Sequence, residues 1–239
     1  MNPLLTPELQ TFARSLCIYE DAYLIAFDKP AGLPVQGGSG VSRSLEDLLG
    51  AFAKSNGKQP RLVHRLDRET SGVIVAARNK PAAAFFSKAF ANREAEKTYL
   101  AIACAAPSPR EGLIEAPLAK TSRRGLDIME IAQRGQPART RYRTLAATNA
   151  AALVELHPET GRMHQLRAHL AHIGAPIAGD GKYGGLFRLG AVETPHLLLH
   201  ALRLDLPHPE SGRIRLEAPP PEGFLAAARS LGLETPSAP

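Results

Sequence analysis

The chain has 239 residues, 44% of them hydrophobic and 22% charged, enough for one well-buried domain or one domain with an appendage. No run of about 18 uncharged apolar residues occurs, which excludes a membrane-spanning helix, and the opening MNPLLTPELQ has neither the basic nor the apolar region of a secretion signal. A formal charge of +6 favours a polyanionic partner, since each cation set against a phosphate releases a condensed counterion.

In chain order, TPELQTFARSL reads as a short helix with Thr6 as its N-cap. AYLIAF reads as a strand, ended by Lys29-Pro30 and a Gly/Pro-rich loop, and SRSLEDLLGAFAKS as a helix closed by Gly57. VIVAAR is a short β-branched run expected to be a buried strand. Pro81 opens a helix through AAAFFSKAFAN, and KTYLAIA returns as a strand. TRYRTLAAT and AALVELH form a hairpin turning near Asn149-Ala150, and a helix runs from about Arg162 to Ile173, closed by Gly174. A strand pair, LLLHALRLDLPH with GRIRLEAP, precedes an Ala-rich helix. Strands and helices without strict βαβ alternation predict an α+β fold with a mixed, largely antiparallel central sheet flanked by helices. The expected organisation is an N-terminal arm or short helix over 1–19, one catalytic domain over 20–230, and a disordered tail over 231–239. Cys17 and Cys104 read as reduced thiols of a cytoplasmic protein.

Two segments hold more chemistry than packing requires. HRLDRETSG, residues 64–72, gathers charged and hydroxyl groups directly before a core strand, where catalytic groups concentrate. Taken alone, a solvated turn with local salt bridges explains it at least as well. The second segment is HPETGRMHQLR, residues 157–167. On a helix, Met163, Leu166, Leu170 and Ile173 make an apolar stripe that Arg167 flanks, so its guanidinium must snorkel outward or find a buried acceptor. A partly buried carboxylate such as Asp67 would satisfy it in a bidentate pair.

These residues resemble the RluA-type family of RNA pseudouridine synthases. HRLDRETSG matches the family signature HRLDxxTSG at every fixed position. The likeness continues through KPAGLPVQGG (29–38), EKTYLAI (96–102), TGRMHQLRAHLAHIGAPIAGDGKYG (160–184) and LHALRLDLPHP (199–209), in the expected order. It implies a pseudouridine synthase fold with a catalytic cleft, and Asp67 as the catalytic aspartate. Arg65 would enter the RNA stack in place of the flipped uridine. Tyr99 would stack on the uracil, and Arg167 would be the basic residue serving the aspartate. Arg162 and His164 belong to the same motif, and they join His64 and Lys29 as expected RNA contacts. Many relatives carry an S4-type domain of about sixty residues ahead of this one. The strand before KPAG begins near residue 22, so none is expected here.

The implied reaction breaks the N1–C1′ bond of uridine, rotates the uracil and joins C5 to C1′. A carboxylate attacking C1′ or C6, or removing the C2′ proton, divides a hard step into easier ones. Loss of the C5 proton then falls to Tyr99 or to water relayed through Asp67. A uridine shielded in a stack has to be extruded, at a cost of a few kcal/mol that a filling side chain and an aromatic surface offset. Nothing in this chemistry calls for a metal or cofactor. The expected partner is structured RNA, ribosomal or transfer, with the enzyme a monomer.

Other readings are weaker. GDGKYG, residues 179–184, fits GxGxxG but follows a helix and a Pro-containing loop, the wrong setting for a dinucleotide site. A turn is preferred, with Asp180 and Lys182 either on RNA phosphate or simply solvated. His164, His169 and His172 point in different directions around a helix, which argues against a metal site. Ser71 with His64 lacks the GxSxG elbow of a hydrolase. The basic stretch Arg123, Arg124, Arg139, Arg141 and Arg143 is read equally well as an RNA track or a solvated face. Two functional rivals remain: an RNA-binding protein with a structural Asp67, and a uridine N-glycosylase that would release free uracil.

Overall fold

The computed structural model describes residues 5–38, 42–123, 125–194 and 196–234, and of Arg123 and Leu126 the backbone alone. The chain divides into two compact units, the first made of residues 1–95 and 203–218 and the second of 96–202 and 219–239.

In the first unit, Thr6 accepts a hydrogen bond from Leu9 N (3.4 Å) and Pro7 takes the opening position, starting helix α1 (Pro7–Ser15) where the sequence predicts. Strands β1 (Cys17–Glu20) and β2 (Leu24–Lys29) follow. The helix expected over 42–55 is shorter. Ser44 and Asp47 form a reciprocal capping box that starts α2 (Leu45–Leu48), and the chain then tightens into a 3-10 turn over Leu49–Phe52. After β3 (Arg61–Leu62) comes β4 (Ser71–Ala77), buried at every position, which explains its continuous apolar run. Asn79 caps α3 (Lys80–Ala91) through Ala82 N at 2.9 Å.

Strands β5 (Glu96–Ala103), β6 (Glu111–Glu115), β7 (Leu118–Arg123), β8 (Leu126–Ile131), β9 (Arg139–Ala147) and β10 (Ala152–Pro158) follow in the second unit. Helix α4 (Gln165–His172) and the short pair β11 (Arg188–Leu189) and β12 (Val192–Glu193) come next. Strand β13 (Leu199–His208) begins in the second unit and ends in the first, where β14 (Gly212–Glu217) pairs with it; α5 (Glu222–Ser230) returns to the second unit.

Every strand pairing described within a unit is antiparallel, and the fold class is α+β as expected. In the first unit, Leu24, Ala26, Val73, Val75, Phe86, Leu204 and Leu206 share one core. Full burial of a side chain such as Phe86 contributes roughly 1.5–3 kcal/mol. In the second unit β10 lies between β5 and β9, and Leu166 and Leu170 of α4 pack on Val154 and Leu156. The sequence expectation needs two corrections here. Met163 precedes α4, packing near Met129 and Tyr183, and does not open a helical stripe. Leu231 and Leu233, expected in a disordered tail, are buried against Phe224 and Ala228, and residues 235–239 lie outside the described ones.

Candidate active site

The loop from 63 to 70 enters β4 with its side chains sorted by burial: Arg65 is exposed, Leu66 buried and Asp67 half-buried. Its main chain is fixed by neighbours. Thr70 N donates to Asp67 O at 3.1 Å, and the buried Thr70 and Ser71 carry the chain into the strand. Gly32 N donates to Arg68 O (2.9 Å), and Arg68 Nε returns a bond to Gly32 O (3.0 Å). Gly32 has φ +85°, a conformation that glycine adopts without strain. The KPAG loop is thereby stitched to the residue following Asp67.

Lys29 completes that stitching, and its position corrects an expectation. Its side chain is 0% exposed, so it is not an RNA contact. The amine donates to Pro30 O (2.9 Å), Leu33 O (2.9 Å) and Arg68 O (3.0 Å), one carbonyl for each hydrogen of an ammonium. Burial pulls its pKa down to about 8, opposed by the charges of Glu69, Asp67 and Asp28. His64 is also tied into the scaffold. Its Nε2 accepts from Val75 N at 3.0 Å, and its ring stacks on Phe90 with centroids 4.4 Å apart.

The candidates of the second unit stand on β5 and α4. Tyr99 on β5 lies opposite Leu156 of β10 and is half-buried against the core. Lys97 shares its strand face, and burial lowers its pKa. The approach to α4 is organised by Gln165, which the sequence reading passed over. Its Oε1 accepts from Thr160 Oγ1 (2.7 Å) and Arg162 N (3.0 Å), while Nε2 donates to Arg139 O (2.9 Å) and Thr140 Oγ1 (3.0 Å). All four capacities of this buried amide are met, which fixes the ETGR loop on β9. Arg162 Nε donates to Pro137 O at 3.2 Å. His164 caps the helix in the left-handed region (φ 50°), unusual for a residue with a side chain, and its Nδ1 lies 2.9 Å from Tyr183 Oη.

Arg167, 6% exposed, has a carboxylate partner: its Nε donates to Asp180 Oδ2 and its terminal nitrogen to Asp180 Oδ1, both at 2.8 Å. Asp180 is 1% exposed, which corrects its placement on solvent or RNA phosphate. Desolvation offsets much of the attraction in such a pair, whereas deleting one partner leaves a buried charge and costs about 3–5 kcal/mol. The GDGKYG turn that carries Asp180 is wound tightly. A Cβ at Gly179 would meet His196 O at 1.9 Å, and one at Gly185 would meet Ile177 O at 1.9 Å. The cue for Asp180 was present, an acid between two glycines just after the helix, but only the folded turn reveals its partner. His169 is a core tie: Nε2 donates to Ala116 O (3.0 Å), Nδ1 accepts from Thr140 Oγ1 (2.9 Å), and burial lowers its pKa.

Residues 23–172 match the family model described as RNA pseudouridylate synthase. Among curated relatives, "Pseudouridylate synthase RPUSD4, mitochondrial" from Xenopus tropicalis is 37% identical over 230 residues, covering 86% of this chain and 71% of the relative. "Ribosomal large subunit pseudouridine synthase D" from Nitrosomonas europaea is 37% identical, covering 90% and 64% respectively. "Ribosomal large subunit pseudouridine synthase C" from Escherichia coli strain K12 is 34% identical, covering 95% and 73%. The solved structure of human RNA Pseudouridylate Synthase Domain Containing 4 superposes with a TM-score of 0.83 at 31% identity, covering 98% of this chain and 100% of that one. The chain belongs to the RNA pseudouridylate synthase family, with that family's fold, and is an isomerase acting on uridine in RNA.

Proposed function

We propose that the chain converts uridine to pseudouridine in large-subunit ribosomal RNA, with Asp67 as catalytic carboxylate, as a cytoplasmic monomer needing no metal or cofactor. The observation that carries the assignment is the double anchoring of the loop around Asp67 by Lys29 and Gly32, next to exposed Arg65. A carboxylate that must reach C1′, C6 or the C2′ proton gains most of its rate from being held in place, and such a loop holds it. Arg65 fills the stack vacated by the uridine, and Tyr99 offers an aromatic face to the uracil and a route for the C5 proton. Arg167 is the basic residue of the reaction, with Arg162 and His164 on the RNA. The ribosomal choice rests on relatives named for the large subunit, and the free thiols of Cys17 and Cys104 suit a reducing compartment.

Pseudouridine mapping of ribosomal and transfer RNA, from cells lacking the enzyme and from cells with it restored, tests the substrate. A uridine of large-subunit RNA modified only on restoration is the expected result. A change confined to transfer RNA would replace this substrate with the other.

A further inference from the structure

Tyr183 makes contacts that the reaction as described does not use. Its hydroxyl accepts from Met129 N on β8 at 2.8 Å, which leaves its own proton for His164 Nδ1 at 2.9 Å. Its ring meets the His164 ring edge-on, and the Arg167 guanidinium carbon lies 5.2 Å from its centroid. One side chain therefore touches the β7–β8 hairpin, the left-handed residue that opens α4, and the arginine in the first turn of that helix. Asp180 holds Arg167 by its edge while the Tyr183 ring faces it, so the two contacts together define the guanidinium plane. A non-glycine residue at φ 50° stores strain and persists only where its surroundings hold it, and the Tyr183 hydroxyl supplies one of those holds.

We infer that Tyr183 is a positioning residue of the isomerase, setting the guanidinium plane of Arg167 by joining the β7–β8 hairpin to the start of α4. The inference rests on the proposed role of Arg167 in the reaction. Tyr183→Phe keeps the ring and deletes both hydrogen bonds, so it isolates the join from the packing. The test uses a uridine-tritiated, in vitro transcribed large-subunit ribosomal RNA on which the wild-type enzyme releases tritium. Single-turnover rate at saturating RNA and RNA affinity are measured for wild type, Tyr183→Phe, Arg167→Lys and the double variant. Tyr183→Phe is expected to be about tenfold slower with affinity within about twofold of wild type, and the double variant no slower than Arg167→Lys. His164→Gly, which adopts left-handed backbone without strain and removes the acceptor, is expected to reproduce the rate loss and serves if Tyr183→Phe folds poorly. A wild-type rate in both Tyr183→Phe and His164→Gly, with Arg167→Lys slow, overturns this inference alone. So do multiplying rate losses in the double variant, or a loss of affinity at unchanged rate. A wild-type rate in Arg167→Lys overturns the role of Arg167 and this inference with it.

Discussion

Lys29 shows how one buried amine sets a pH limit on a loop. The ammonium has three hydrogens for the carbonyls of Pro30, Leu33 and Arg68, and the neutral amine has two. With its pKa drawn down to about 8 by burial, the folded protein gives up this proton before the unfolded chain does. Between about pH 8 and 10.5 the unfolded state binds more protons, so this group makes stability rise with pH in that window. The loop responds in the opposite sense, because the neutral amine can serve only two of the three carbonyls that tie the KPAG loop to Arg68, the neighbour of Asp67. The single-turnover rate should therefore fall as pH rises through about 8 while the melting temperature shows no matching fall. Lys29→Met should be at least about tenfold slower and lack that inflection, as expected where a reacting group is displaced. A wild-type pH profile in Lys29→Met would refute the role. KPAG drew attention to Lys29 in the sequence, but its direction could not be read there. A lysine in a loop defaults to solvent, and three inward carbonyls exist only in the folded chain.

At the scale of elements, strand pairing decides the fate of the basic stretch. Arg143 faces Glu155 across β9 and β10 and contacts it at 3.0 Å; Arg141 reaches Glu159 at 2.7 Å, and Arg139 reaches Glu159 at 2.9 Å and Glu115 at 3.5 Å. Exposed pairs of this kind contribute at most about 1 kcal/mol each, but they compensate charge that would otherwise attract phosphate. Replacing Arg141 and Arg143 by alanine should change the slope of log affinity against log salt by less than about 0.7, the equivalent of one phosphate on single-stranded RNA. A drop of about 1.4 would restore them as an RNA track. Of that stretch, Arg124 lies outside the described residues. Elements with a strong period or cap were legible: α1 from Thr6, α3 from Pro81, and the β9–β10 hairpin from its alternation. The β7–β8 hairpin was not. Among the described side chains of LAKTSR and LDIMEI only Leu118, Ile128 and Met129 are buried, too few to mark strands, and the left-handed Gly125 between them is a weak cue alone. Helix α4 was placed three residues early, because Arg162 and Met163 are good helix formers, whereas His164 adopts the left-handed region and Arg162 N is held by Gln165 Oε1 ahead of the helix.

For the whole molecule, the sequence carried the family through five ordered motifs, and the matched family model and superposed relative agree with it. The division into two compact units was not legible, since no linker composition marks residue 95 or residue 203. The central claim is that this molecule isomerises uridine with the carboxylate of Asp67. The most direct measurement is tritium release from C5-labelled RNA free of pseudouridine, with wild type beside Asp67→Asn, RNA binding followed in parallel. Release by wild type, none above background by Asp67→Asn, and retained binding are the predicted result. Release by Asp67→Asn at the wild-type rate would contradict the account.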